Sequence, residues 1–492
     1  MTRALVTLVA MLALGGCAVG PNFRPPTTPA ASAGHYAAAD SIAVSSEPLP
    51  EKWWRLYDDP ALDALVTEAL TANTDLRVAT ANLRRARAIL SETRSQRLPS
   101  TGVNASVSYT RSAGAGGSGA GAAGGGTGTT GTTGGGYEGQ FYSAGLDVSY
   151  ELDLYGRVRR DIEASRADLA AQEAQRDTVR TSVAAETARA YADACSAALQ
   201  IGVAQKSLSL QLESYDLTER LALAGRGTPL DTSRARALYE QVRATLPPFV
   251  TARRDALFRL SVLTGHPPEE TPAAAAACVT PPALKRPIPV GDGTALIKRR
   301  PDIRQADRTL AAATARIGVA TAALYPKISL GGSIGTSAIS LGGLGSDGSF
   351  RFNVGPLLSW TFPNFTVARA RIRQAEATTE AALASFDGTV LAALRETDTA
   401  MTDLAGELDR QEALTAARDY SAEAARIVGL RYGAGAENFL AVLDAQRTLA
   451  TAEAQLAASR AALTSDQVAV FKALGGGWES APETAAATTS RP

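Results

Sequence analysis

Histidine is nearly absent from this chain, with two residues among 492, and cysteine is hardly commoner with three. His35 and His266 each sit in tether or turn sequence, and neither joins a cluster with metal-ligand spacing. Aromatic residues make up only 6% of the chain, so a large aromatic core is not expected. Charge of one sign is also missing: 49 Lys plus Arg balance 49 Asp plus Glu, and no basic stripe offers itself to nucleic acid. Beyond the N-terminus no uninterrupted apolar run reaches the 18 or so residues of a spanning helix, so any passage through a membrane must use strands. Two strings imitate catalytic motifs. Gly126-Thr127-Gly128-Thr129-Thr130-Gly131 fits a dinucleotide fingerprint but opens no helix, and Gly331-Gly332-Ser333-Ile334-Gly335 fits a nucleophile elbow but lies in a strand pattern with no histidine after Ser333. Neither an enzyme, a catalytic residue, a metal nor a cofactor is expected.

What is present begins with an export signal over residues 1–16, in which Arg3 supplies positive charge and Leu5 to Leu14 an apolar core. Its end, Leu14-Gly15-Gly16-Cys17, resembles the lipobox of bacterial lipoproteins, which implies diacylglycerol and an acyl chain on Cys17. A chance cysteine in an ordinary secretory signal is the plainer alternative. Ala18, rather than Asp, follows the cysteine; by the same resemblance this implies the outer membrane. Cys195 and Cys278 remain, and their separation says nothing about distance, so they are left unpaired. Residues 17–58 are rich in Pro, Ala and Ser and read as a lipidated tether.

Between Asp59 and Leu98 apolar residues recur at helical spacing until Pro99. The period then changes to two: Val103, Ala105, Val107 and Tyr109 alternate, then Tyr142, Ala144, Leu146, Val148 and Tyr150, giving a β-hairpin over about 101–151 around a Gly-rich loop at 112–136. A helical pattern without proline runs from Arg157 to Ala222, roughly 100 Å at 1.5 Å per residue. A turn at Gly225-Arg226-Gly227-Thr228-Pro229 leads into a returning helix, interrupted at Pro247-Pro248, that ends near Gly265. After a linker at 267–298 the same order begins again. Asp75-Leu76-Arg77 corresponds to Asp302-Ile303-Arg304, Leu98-Pro99 to Tyr325-Pro326, Ser149-Tyr150 to Ser359-Trp360, and Ala224-Gly225 to Ala434-Gly435. Two structural repeats follow, 59–266 and 299–475, the second with a hairpin over about 327–361, and a disordered tail at 476–492. Leu383, Phe386, Val390, Leu394, Met401, Leu404 and Leu408, with Leu449, Leu456, Leu463 and Val470, form coiled-coil stripes.

Four strands of nine to twelve residues are long enough to cross a bilayer at a tilt but too few to close a barrel. An open sheet edge cannot stand in hydrocarbon, so several copies must share one ring. At this point Cys17-Ala18-Val19-Gly20-Pro21-Asn22-Phe23, Trp53-Trp54-Arg55-Leu56 before Asp59-Pro60, Arg300-Pro301-Asp302-Ile303-Arg304 and Tyr432-Gly433-Ala434-Gly435 together resemble the TolC-type outer-membrane efflux channels, in their NodT lipoprotein branch. The resemblance covers nearly the whole mature chain. It implies an internally duplicated α+β membrane protein, a homotrimer with a twelve-stranded β-barrel continued by a long α-helical barrel in the periplasm. It implies a periplasmic adaptor protein and an inner-membrane pump of the resistance-nodulation-division type as partners, outer-membrane lipid around it, and passive conduction of drugs or other small amphiphiles. Metal-ion efflux or type I polypeptide secretion on the same fold, or a non-conducting trimeric coiled-coil spacer, are the alternatives.

By the same resemblance the two helix-turn-helix tips, Gly225 to Asp231 and Gly435 to Asp444, form a periplasmic gate and an adaptor-docking surface. Gly225, Gly227, Gly433 and Gly435 are the tip glycines, although glycine also ends helices simply because it tolerates the left-handed conformation. Asp444 matches the second aspartate of the family's tip pair, while Ala441 stands where the first would be. Asp231 is the weaker gate candidate, and a solvated helix charge is the plain reading of both.

Overall fold

In the computed structural model the described residues are 18–27, 44–45, 47–112, 137–291, 293–360, 362 and 365–477. The signal at 1–16, Cys17, His35, the Gly126–Gly131 string and residues 478–492 lie outside them. Strand β1 (Val44–Ser45) and a 3-10 turn (Trp53–Tyr57) precede helices α1 (Pro60–Ala72) and α2 (Thr74–Ser95). Strands β2 (Ser100–Ser112) and β3 (Tyr137–Leu152) follow, then α3 (Arg157–Leu223) and α4 (Pro229–Leu263). The connection holds α5 (Ala273–Ala276), β4 (Ile288–Pro289) and α6 (Gly293–Arg299). The order then recurs as α7 (Pro301–Ala322), β5 (Lys327–Ala338), β6 (Phe350–Ser359), α8 (Phe365–Gly433) and α9 (Phe439–Ala473).

The chain divides into two compact units. The first, built from residues up to 24, 87–167 and 311–380, contains a four-stranded sheet in the order β2-β3-β5-β6, antiparallel throughout. The strands have 13, 16, 12 and 10 residues, so β2 and β3 are both longer than the pattern predicts. Register puts Ser100 opposite Ser149, Leu152 opposite Ile328 and Lys327 opposite Ser359, so all four helix connections leave from one end and both hairpin loops from the other.

The N-terminal segment is also fastened here. Buried Arg160 donates to the Val19 carbonyl at 3.2 Å, the Gly20 carbonyl at 3.1 Å and Asn22 Oδ1 at 2.8 Å. Gly20 has φ +90°, and a Cβ on Gly318 would fall 2.8 Å from Arg160 Cγ and 2.9 Å from the Val19 oxygen. Bare backbone at both glycines is what lets the segment lie this close.

The second unit, 25–86, 168–310 and 381 onward, holds the main core. The tether ends early, because Leu49, Trp53, Trp54 and Tyr57 are buried in that core together with Phe471, and Trp53 stacks on Phe471 at 4.6 Å. A composition poor in aromatics thus still concentrates several in one place, where each buries a large apolar area. Gly476 and Gly477, expected in a disordered tail, pack on Leu49, Trp53 and Trp54. The first helix is not continuous but breaks at Asn73, whose Oδ1 accepts from the Asp75 and Leu76 N–H groups at 2.9 and 3.3 Å while its Nδ2 donates to the Leu263 carbonyl at 3.1 Å. An asparagine that caps one helix and ties it to the end of another outweighs the continuous apolar period.

Pro247 and Pro248, conversely, do not interrupt α4. The residues whose carbonyls they strand, Arg243 and Ala244, are exposed, so water can satisfy them. Cys195 and Cys278, left unpaired on sequence grounds, form a disulfide with Cα atoms 5.1 Å apart, tying the connection to α3. Of the coiled-coil stripes, Phe386, Val390, Met401, Leu404, Leu456 and Val470 are buried, whereas Leu383 is exposed.

Candidate functional site

Alternation along each strand, carried across the sheet by its register, sorts the side chains by polarity. Val103, Leu146, Ile334 and Phe352 lie in one cross-strand row. Thr101, Val148, Gly332 and Val354 lie in the next row of the same face, and Leu152, Ile328 and Leu358 nearest the helices. Val103, Phe352 and Val354 are at least 74% exposed in the single chain. The opposite face carries Asn104, Ser106, Ser143, Asp147, Ser333 and Asn353, joined by hydrogen bonds such as Asn104 Nδ2 to Asp147 Oδ2 at 2.8 Å and Ser333 Oγ to Asn353 Oδ1 at 3.1 Å. Ser333 is therefore a strand hydroxyl on a polar wall, bonded to Asn353 across the sheet.

A sheet apolar on one exposed face and polar on the other suits lipid on one side and water on the other. Its outer strands β2 and β6 each pair on one side only within the chain.

The two helical turns share one geometry. At the α3–α4 turn, Gly225 has φ +69°, its N–H donates to the Ala222 carbonyl at 3.0 Å, and Arg226 N–H donates to the Leu221 carbonyl at 2.9 Å. At the α8–α9 turn, Gly435 has φ +73° and bonds to Tyr432 at 2.9 Å, with Ala436 to Arg431 at 2.9 Å. Both are helix ends closed by a left-handed residue, which explains glycine at 225 and 435. Gly227 has a different reason, since a Cβ there would meet the Ala222 nitrogen at 3.0 Å. Gly433 has open space around it and needs neither explanation. Ala235, Phe439, Val442 and Leu443 form a small buried cluster holding the turns together.

The two candidate aspartates differ. Asp231 accepts the Thr228 hydroxyl at 2.6 Å while its own N–H donates to Thr228 Oγ1 at 3.2 Å, so this carboxylate is occupied in closing the start of α4. Asp444 is exposed, one turn inside α9, whose first turn is capped instead by Asn438 Oδ1 accepting from Ala441 N–H at 2.9 Å. His266 bonds through Nε2 to Glu68 at 2.8 Å and faces Glu270 through Nδ1 at 3.3 Å. No group able to hold a metal ion occurs among the described residues.

Two polar sites in the second unit had no functional reading in the sequence. Arg300 is buried and donates to both oxygens of Asp302, to Glu396 Oε2 at 2.9 Å and to the Ala473 carbonyl at 2.8 Å, joining α7, α8 and α9. Burial pushes the Asp466 carboxyl up to about 6, Asp403 and Glu407 add to the shift, and Arg189 opposes it. No motif marks that position, because its environment comes from residues on different helices.

The family model for the outer membrane efflux protein matches residues 65–266 and again 294–476. Outer membrane protein OprJ of Pseudomonas aeruginosa is 33% identical over 479 residues, 96% of this chain and 95% of its own. The toluene efflux pump outer membrane protein TtgI of Pseudomonas putida is 30% identical over 483 residues, covering 96% of this chain and 97% of its own. Among solved structures, the outer-membrane channel OprN superposes with a TM-score of 0.85 at 36% identity, over 94% of this chain and all of that one. By sequence over nearly its whole length, and by its TolC-like fold, the chain belongs to the outer membrane efflux protein family.

Proposed function

We propose that three copies of this chain close a twelve-stranded barrel in the outer membrane and conduct small amphiphiles, drugs among them, passively outward. The two-faced sheet with two open edges carries the reading. Four strands cannot satisfy their own edge N–H and C=O groups in hydrocarbon, so β2 of one copy must pair with β6 of the next. A relative named for toluene efflux favours apolar cargo over metal ions or polypeptides. The chain does no chemistry on that cargo; energy comes from an inner-membrane pump of the resistance-nodulation-division type, joined through a periplasmic adaptor. The turns at Gly225, Gly227, Gly433 and Gly435 dock the adaptor, and exposed Leu223, Leu230, Leu430 and Leu440 near them give it apolar contacts. Cys17 carries diacylglycerol and an acyl chain that hold the mature N-terminus in the inner leaflet of the outer membrane.

Asp444 forms the gate, an acidic ring of three copies whose mutual repulsion is relieved by cations. Asp231, already bonded to Thr228, contributes only field. Single-channel recording in planar bilayers tests this reading. Asp444→Ala is expected to raise leak conductance and lower cation selectivity, Asp231→Ala to change both less. Unchanged conductance and selectivity in Asp444→Ala reject the gate, and absence of any conductance in the unaltered protein rejects the channel.

A further inference from the structure

Where β3, β5 and β6 give way to helices, the first unit has a cleft of about 300 Å³, lined among others by Glu151, Tyr155, Arg157, Lys327, Trp360 and Arg371. It lies directly below the last apolar row of the sheet, Leu152, Ile328 and Leu358. Aromatic rings crowd its rim. Tyr155 stacks on Tyr325 at 4.5 Å, and Trp360, Phe362 and Phe365 contact one another with centroids 5.2 to 6.3 Å apart while all remaining exposed. Exposed aromatic rings at the end of an apolar band mark the depth of lipid headgroups.

The charges of the cleft are unevenly used. Glu151 accepts from Arg157 Nε and Nη2, each at 2.9 Å, and from Lys327 Nζ at 2.8 Å, and Asp153 closes the start of α3 by accepting the Val158 and Arg159 N–H groups. Arg371 is exposed and has no ion pair among the described residues; neither have exposed Arg369 and Arg373 on the same helix. The duplication supplies an internal comparison. The alignment that lays Tyr150 on Trp360 lays Asp161 on Arg371 and Glu163 on Arg373, so the second repeat carries cations where the first carries acids. Three cations against two acids line the cleft, leaving it net positive, with a planar guanidinium as the uncommitted group.

An independent observation sets the membrane level. A Cβ on Gly156 would fall 2.6 Å from Ala18, and Val19 N–H donates to the Tyr155 carbonyl at 3.2 Å. The residues that follow the lipidation candidate are thus held beside Tyr155, a residue of the cleft; the link to the bilayer rests on the acylation proposed above.

We propose that the cleft binds one anionic phospholipid of the leaflet into which Cys17 inserts, with its phosphate held by the Arg371 fork and its chains laid on Leu358, Trp360 and Phe362. Lipid is favoured over a soluble phosphate because the cation stands among exposed aromatic rings at the foot of an apolar face. A guanidinium–phosphate pair is a charge-assisted bond, stronger where apolar neighbours exclude water.

The test is native mass spectrometry on the full mature protein, extracted in non-ionic detergent, delipidated, and offered phosphatidylglycerol, phosphatidylethanolamine or phosphatidylcholine with matched chains. The expected result is one phosphatidylglycerol per copy, retained about tenfold better than phosphatidylcholine, with that preference lost in Arg371→Gln and kept in Arg426→Gln, an exposed arginine of α8 outside the cleft that pairs with Glu423. Trp360→Ala is expected to weaken retention of all three lipids. Equal retention of the three lipids, or an unaltered preference in Arg371→Gln with native helix content by circular dichroism, overturns the proposal. Should Arg371→Gln not assemble, the lipid preference of the unaltered protein decides alone. The intact mass of the same sample reports acylation separately: a non-acylated Cys17 with phosphatidylglycerol still bound would remove the anchor and leave the site.

Discussion

Replacing Cys195 and Cys278 together by alanine tests a link that joins positions 83 residues apart. The loop so closed contains the end of α3, the whole α3–α4 turn and α4, and it ends on the connection between repeats. In the chain-entropy view, cross-linking a loop of this length disfavours the unfolded ensemble by about 4 to 5 kcal/mol, and real bridges commonly deliver less. Cys195 is wholly buried in the main core, in the cluster that also holds Leu257 and Leu260, so the missing sulfur also leaves a small void. The double variant is therefore expected to lose about 2 to 4 kcal/mol in urea titrations of detergent-solubilised protein followed by circular dichroism, with native helix content retained in buffer. Alkylation of unfolded protein without reductant, read by mass, should find neither thiol free. Two free thiols, or a double variant within about 0.5 kcal/mol of the unaltered protein, would refute the reasoning.

Two further outcomes are expected. Gly318→Val should push Arg160 and the Val19 carbonyl apart and release the N-terminal segment, seen as faster hydrogen exchange at Val19 to Phe23 with the sheet amides unchanged; unchanged exchange at Val19 would show that the close approach does not hold the segment. For Asp466, the folded chain keeps a proton that the unfolded chain gives up above its ordinary value of 3.8, so this group costs nothing below that pH. Stability at this site falls as pH rises from 3.8 to about 6 and stays low above it. Asp466→Asn should thus stabilise the protein at pH 7 more than at pH 4, and an equal effect at both would contradict the raised carboxyl.

Much of this architecture is written in short-range pattern. Alternation at Val103 to Tyr109 and Tyr142 to Tyr150 located the first hairpin because strand side chains change face at every residue, and the glycine turns were visible because Gly225 and Gly435 must adopt positive φ. Pattern failed where distant residues decide. Asn73 breaks a helix by reaching Leu263, Trp53 enters the core because Phe471 and Gly476 await it, and Cys195 meets Cys278 through a connection with no periodicity at all. Within the candidate site the polar and apolar faces were legible strand by strand, but the matching rows needed the register. Asp231 stood out as a charge at a tip, and only its bonds to Thr228 reveal a local structural task.

In the proposed assembly the edges of β2 and β6 are closed by neighbouring copies. Native mass measurement of the purified mature protein in detergent micelles tests it most directly: a complex of three chains is the expected result, and a stable, folded single chain with its sheet intact would contradict it.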